Sequence, residues 1–160
     1  MKLSFFATNL YVHEFLHFLS ALTVSLIVYK LFKQSGLVLV AFLTSFFIDL
    51  DHYTEGFLFN RFRIGWIFKE LPAVYWERVG KVTLFFHSWE ALPLILFLGK
   101  ILNQWPLAVT VTIAAAAHYV LDGLIYSSIN KLSFVVYFFF YRLYHKFSFQ
   151  KLCLDKKISI

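Results

Sequence analysis

Four apolar runs dominate this chain, and each contains or borders a cluster of histidines and carboxylates. The runs cover residues 10–32, 37–50, 82–102 and 106–126. A helix needs about 20 consecutive apolar residues to cross the hydrocarbon of a bilayer. Within that hydrocarbon every backbone N–H and C=O must find a partner inside the protein. The pattern predicts an all-α fold: an integral membrane bundle of four transmembrane helices plus interfacial helices. Composition agrees, at 60% hydrophobic, 21% aromatic and 21 phenylalanines in 160 residues, with a mean hydropathy of +0.70. Soluble domains are nearer half apolar.

The net charge of +6 calls for an acidic partner. With this hydropathy that partner is the anionic membrane surface, the lipid bilayer, and no nucleic acid. One cysteine, Cys153, rules out an internal disulfide and stands among no other metal-ligand types. Lys2 precedes the first run without a small-residue cleavage pattern, so the first helix is expected to remain as an anchor.

The connections read as follows. Lys30, Lys33, Gln34, Ser35 and Gly36 form a polar turn. Residues 53–81 mix Arg61, Arg63, Lys69, Arg78 and Lys81 with Phe57, Trp66 and Trp76, which suits a segment lying at the membrane interface. Pro93 can kink the third run. Asn103, Gln104, Trp105 and Pro106 make a tight turn, with Pro106 suited to a first helical position. Residues 114–117, all alanine, allow close helix packing. The aromatic stretch 132–147 is interrupted by Arg142, His145 and Lys146 and reads as an interfacial helix. Residues 1–150 are expected to form a single membrane-embedded domain, and 151–160 a loosely held basic tail.

Lysine and arginine set the orientation. Lys2, the five basic residues of 53–81, and Lys131, Arg142, Lys146, Lys151, Lys156 and Lys157 fall on one side of a four-span scheme. Lys30, Lys33 and Lys100 fall on the other. The N- and C-termini are therefore expected in the cytoplasm, in a bacterial-type inner membrane.

On this scheme the ionisable groups gather at one level. His13, Glu14 and His17 open the first span, and Asp49, Asp51 and His52 close the second. His87 and Glu90 begin the third, and His118 and Asp122 come late in the fourth. At ~1.5 Å rise per residue each group lies within roughly 10 Å of the cytoplasmic face. Ionisable groups in hydrocarbon are costly and mark functional sites, and histidines with carboxylates from several helices are metal ligands first. His13 and His17 share a helix face with Glu14 between them, the spacing of two metal ligands and a general base. Asp49 and His52 can face one site, while Asp51 turns inward only if the helix unwinds. Acids at a helix C-terminus oppose the macrodipole, a conflict that a cation would remove. His118 and Asp122 repeat the i, i+4 geometry, and such a His–Asp pair also occurs behind metal ligands. Ser88 can bind substrate or cap, Trp89 reads as an interface anchor, and His145 as a surface residue. The candidate ligands are thus His13, His17, Asp49, His52, His87, His118 and Asp122, with Glu14 and Asp51 as candidate catalytic bases. So many donors exceed one tetrahedral shell. Either two divalent ions bind, with zinc or manganese the best matches, or some donors serve as base and support.

These residues resemble the membrane-bound metal-dependent hydrolases of the LexA-binding, inner-membrane-associated YdjM type. The resemblance covers residues 13–126 and rests on His13 and His17, on Asp49-Leu50-Asp51-His52, on His87-Ser88 and on His118 through Asp122. It implies a metal-dependent hydrolase. A metal-activated water would attack an ester or phosphoester, and the position of the pocket predicts a lipid-like or membrane-proximal substrate. Two alternatives stand beside this. His13-Glu14 through His17, with Leu121-Asp122-Gly123, resembles the site-2 intramembrane metalloproteases. A non-enzymatic membrane scaffold or metal-binding protein would use the same cluster without turnover.

Overall fold

The computed structural model describes residues 10–52, 55, 72–128, 132 and 134–153. Its helices are α1 (Leu10–Phe32), α2 (Ser35–Phe47), α3 (Pro72–Val79), α4 (Ala91–Ile101), α5 (Trp105–Ser128), α6 (Phe139–Tyr144) and α7 (Phe149–Leu152), with a 3-10 turn at Phe134–Tyr137. The described residues contain no β-strand; Lys81 with Ser148, and Leu132 with Cys153, form isolated bridges.

Three segments are long and apolar enough to cross a membrane: Tyr11–Phe32, Ser35–His52 and Trp105–Ser127. Their outer faces carry Phe15, Leu26, Leu39, Phe46 and Leu124, all exposed. A soluble monomer rarely exposes so large an apolar surface. Inward faces follow helical spacing. In α1 the buried residues are His13, His17, Ala21, Val24, Ser25 and Val28, and in α2 Leu37, Ala41 and Ser45. The α1–α2 connection is only Lys33 and Gln34, with Lys33 in the left-handed region at φ 56° and its N–H on the Tyr29 carbonyl at 2.8 Å. So short a link makes the two helices antiparallel neighbours. Helix α5 is the axis of the bundle and packs against α1, α2 and α4. Gly99 on α4 lets α5 approach, because a Cβ there would meet the Cβ of Ala108.

The third run differs from expectation. It is helical only over Ala91–Ile101, 11 residues, or about 16 Å. Residues 82–88 are irregular because their backbone is held by side chains from elsewhere. The Glu55 carboxylate accepts from the Leu84 N–H at 3.0 Å and from the N–H and hydroxyl of Thr83. Asp51 Oδ2 accepts from the N–H of Phe86 at 3.0 Å and of His87 at 3.3 Å. The buried Arg142 donates to the carbonyls of Leu84 and His87 at 2.6 and 2.9 Å. Tyr119 donates to the carbonyl of Phe86. Irregular backbone is tolerable at such depth when every polar group is met within the protein.

The stretch expected as one interfacial helix over 132–147 is divided. Phe138 is extended between the 3-10 turn and α6, and Glu90 accepts from the first N–H groups of α6, at Phe139 and Phe140 (2.9 and 3.2 Å). That capping role takes Glu90 away from the cluster in which it was expected. The chain also stays packed past Phe149: Phe149, Leu152 and Cys153 are buried with Trp76, Val82, Leu84, Val136 and Tyr137. Of the expected interfacial segment 53–81, only Glu55 and residues 72–81 are described. Of the tail, residues 154–160 lie outside the described residues.

Candidate metal centre

Two helices and two connections supply the donors. Helix α1 brings His13 and His17 on consecutive turns of its buried face, and α5 brings His118 and Asp122 in the same way. The α2 segment loosens into a turn at Ile48 and Asp49 and is helical again at Leu50–His52. This break turns Asp49, Asp51 and His52 to one side, including the aspartate that regular helix geometry would direct elsewhere. The 82–88 segment supplies His87, fully buried.

Asp122 is the pivot. Its Oδ1 lies 2.9 Å from His17 Nε2 and 3.8 Å from His13 Nε2. Its Oδ2 lies 3.4 Å from His87 Nε2 and 3.6 Å from His118 Nε2. Asp49 Oδ1 makes a second focus, 3.1 Å from His118 Nε2 and 3.4 Å from both His52 Nε2 and His87 Nε2. All seven expected ligands therefore come together.

Two of the rings are held from behind, while His17 Nδ1 lies 3.1 Å from His118 Nδ1 and the Nδ1 atoms of His13 and His52 make no hydrogen bond to a described residue. Asp51 Oδ2 lies 2.9 Å from His87 Nδ1, so a proton on Nδ1 leaves Nε2 as a bare donor. The Ser45 carbonyl lies 3.0 Å from His118 Nδ1 and does the same for that ring. Such partners fix the tautomer and orientation of metal-ligating histidines. Asp51, expected as a base, thus stands behind His87 rather than at the focus. Glu14 is exposed beside the two α1 histidines and makes no hydrogen bond or ion pair to another described residue.

The centre has the donor set of a cation site. His17 Nε2, His87 Nε2 and both oxygens of Asp122 are buried and make no aligned hydrogen bond; their nearest contacts are one another, 2.9 Å for His17 with Asp122 Oδ1 and 3.4 Å for His87 with Asp122 Oδ2. Buried polar atoms are almost always hydrogen-bonded. The three 3.4 Å separations among Asp49, His52, His87 and Asp122 match the edge of a tetrahedron whose corners stand ~2.1 Å from a central ion, about 3.4 Å. The buried histidines and aspartates could hold a metal ion. Three sets place their donor atoms within 4.8 Å of one another: Asp49, His52, His87 and Asp122; His13, His17 and Asp122; and His17, Asp49 and His118.

Around this centre lie two charged residues that sequence reasoning did not single out. Glu55 accepts from Trp76 Nε1 at 2.8 Å as well as from Thr83 and Leu84. Burial pushes its carboxyl up, but the donors around it, His52, Thr83 and Trp76, outweigh that and hold it below its ordinary value. Burial lowers the Arg142 pKa from its ordinary value, although the carboxylates of Asp51, Glu90 and Glu55 oppose this. Its guanidinium also donates to Ser88 Oγ at 2.9 Å, which occupies the serine offered above as a substrate contact. Glu55 had a signal in the sequence, one helical turn past Asp51 and His52. The signal for Arg142 was a lone guanidinium in an aromatic run. His145 lies away from the centre, its ring against Tyr141 and Tyr144.

No protein-family model, curated protein or solved structure matches this chain. Its function is therefore argued from the site.

Proposed function

We propose that this protein is an integral-membrane metal-dependent hydrolase that acts on an ester or phosphoester of a lipid-like substrate at the cytoplasmic face. Four spans would place both termini in the cytoplasm of a bacterial-type inner membrane, with α4 as the short third crossing. The observation that carries the reading is the convergence of seven imidazole and carboxylate donors at one end of the bundle, two of them braced from behind by Asp51 and the Ser45 carbonyl. A zinc or manganese ion held there supplies Lewis acidity and a nucleophile at neutral pH. The chain's own residues do the rest. Asp51 keeps His87 in the ligating tautomer, Ser45 does so for His118, and Glu14, exposed on the turn between His13 and His17, takes the proton from the attacking water. The resemblance to the membrane-bound metal-dependent hydrolases supports the same reading.

One observation favours a second reading. His13, His17 and Asp122 form a compact set by themselves, as an intramembrane protease of the site-2 type requires. That reading leaves Asp49, His52 and His87 without a role.

The test is elemental analysis of protein purified in detergent, together with hydrolysis of bis(4-nitrophenyl) phosphate and 4-nitrophenyl butyrate. Bound zinc or manganese and turnover of at least one probe are expected. Glu14→Gln should keep its metal and lose about 10²–10⁴-fold in rate, the usual size of a general-base contribution. His87→Ala should abolish probe turnover, whereas a protease of the second type would still cut a transmembrane peptide. Absence of bound metal would end both readings, and metal without turnover would point to the non-enzymatic alternative.

A further inference from the structure

Seven donors are too many for one ion, and they do not lie around one point. Among the sets whose donor atoms are mutually close, Asp49, His52, His87 and Asp122 form one, and His13, His17 and Asp122 another. Asp122 is the residue these two share, and it meets them with different oxygens. Oδ1 faces His17 and His13 at 2.9 and 3.8 Å, while Oδ2 faces His87 and His118 at 3.4 and 3.6 Å. Both oxygens are buried and make no aligned hydrogen bond, and the facing Nε2 atoms of His17 and His87 are buried in the same way. A carboxylate with one oxygen directed into each of two histidine sets has the form of a bridging ligand.

We propose that the centre holds two divalent cations in unequal subsites joined by the Asp122 carboxylate. The inference rests on the metal-centre reading above and adds the partition. One subsite is His13, His17 and Asp122 Oδ1, three donors that leave positions open, the composition of a reactive site rather than a structural one. Glu14 adjoins it on the same helix. The other is Asp49, His52, His87 and Asp122 Oδ2. His118 flanks it, with Nε2 3.1 Å from Asp49 Oδ1 and 3.6 Å from Asp122 Oδ2, and groups with His17 and Asp49 across the seam between the two subsites. This subsite is the richer one and is braced by Asp51 behind His87, so it fills first and holds its ion more tightly.

The experiment uses full-length protein in detergent, stripped with chelator and titrated with cobalt(II). Two cobalt ions per chain are expected after desalting. The paramagnetic resonance signal should rise through the first equivalent and then grow less than linearly through the second, because a shared carboxylate couples the two spins. The double variant His13→Ala/His17→Ala should bind one cobalt, as should Asp49→Ala. The wild-type coupling measurement stands even if a variant fails to fold. Saturation at one equivalent overturns the partition, and so does a second equivalent whose signal simply adds to the first. One cobalt with probe turnover would leave the hydrolase reading intact and remove this inference alone. No cobalt at all would remove both.

Discussion

The two ends of the bundle are built from the same long helices and filled with opposite materials. At the end where α1 turns into α2, the interior is Val24, Val28, Leu37, Ala41 and Ala114. Of the polar side chains there, Ser25 donates to the Val38 carbonyl and Thr110 to the Pro106 carbonyl, while the buried Thr112 hydroxyl makes no hydrogen bond to a described residue. At the other end, the same faces of α1 and α5 carry His13, His17, His118 and Asp122, joined by Asp49 and His87. Apolar and small residues suffice to pack helices in lipid. The polar end gathers ionisable side chains that the packing of apolar helices does not require.

The most severe way to break the contrast is Asp122→Ala. It removes the carboxylate shared by both halves of the centre, so bound metal and probe turnover should both be lost. Metal retained at wild-type level in elemental analysis would mean that the polar end is not organised around Asp122. Asp51→Asn is milder. It leaves the focus intact and weakens the bracing of His87, so metal affinity, measured by competition with a chromophoric chelator, should fall about 10–100-fold.

Glu55→Gln sharpens the boundary of the polar end. At neutral pH it should destabilise the protein by about 1–3 kcal/mol, the cost of leaving buried donors poorly met. Because the folded protein holds the Glu55 carboxyl below its ordinary 4.5, its contribution is complete above that pH. It is lost as pH falls through the lower folded value. The difference in melting temperature between wild type and variant should therefore shrink on acidification; a constant difference would contradict the assignment. At the apolar end, Ala114→Leu should cost about 1–3 kcal/mol through overpacking while leaving the metal content unchanged. A change in metal content there would show that the two ends are not independent.

Much of this was legible beforehand. The long helices followed from apolar length, and the inward stripe of α1 from the spacing of His13, His17, Ala21, Val24 and Val28. The seven donors were identifiable because ionisable side chains are conspicuous in apolar helices. The 82–88 segment was not legible, because its apolar composition also suits a helix. Its actual conformation depends on Glu55, Asp51 and Arg142, which lie tens of residues away in the chain. For the same reason Glu90 was placed with His87, although it caps α6, and the packed residues Leu152 and Cys153 were assigned to a tail.

The sequence by itself determined that this chain has helices suited to a membrane and that several of them carry imidazoles and carboxylates at one level. Those properties depend on local composition and on a 3.6-residue period. Only the tertiary structure decided that Asp51 stands behind His87, that Asp122 presents one oxygen to each set of histidines, and that Arg142 is buried beneath the site. Such contacts join residues far apart in the chain, and the direction in which an oxygen or ring nitrogen points is set by packing rather than by spacing.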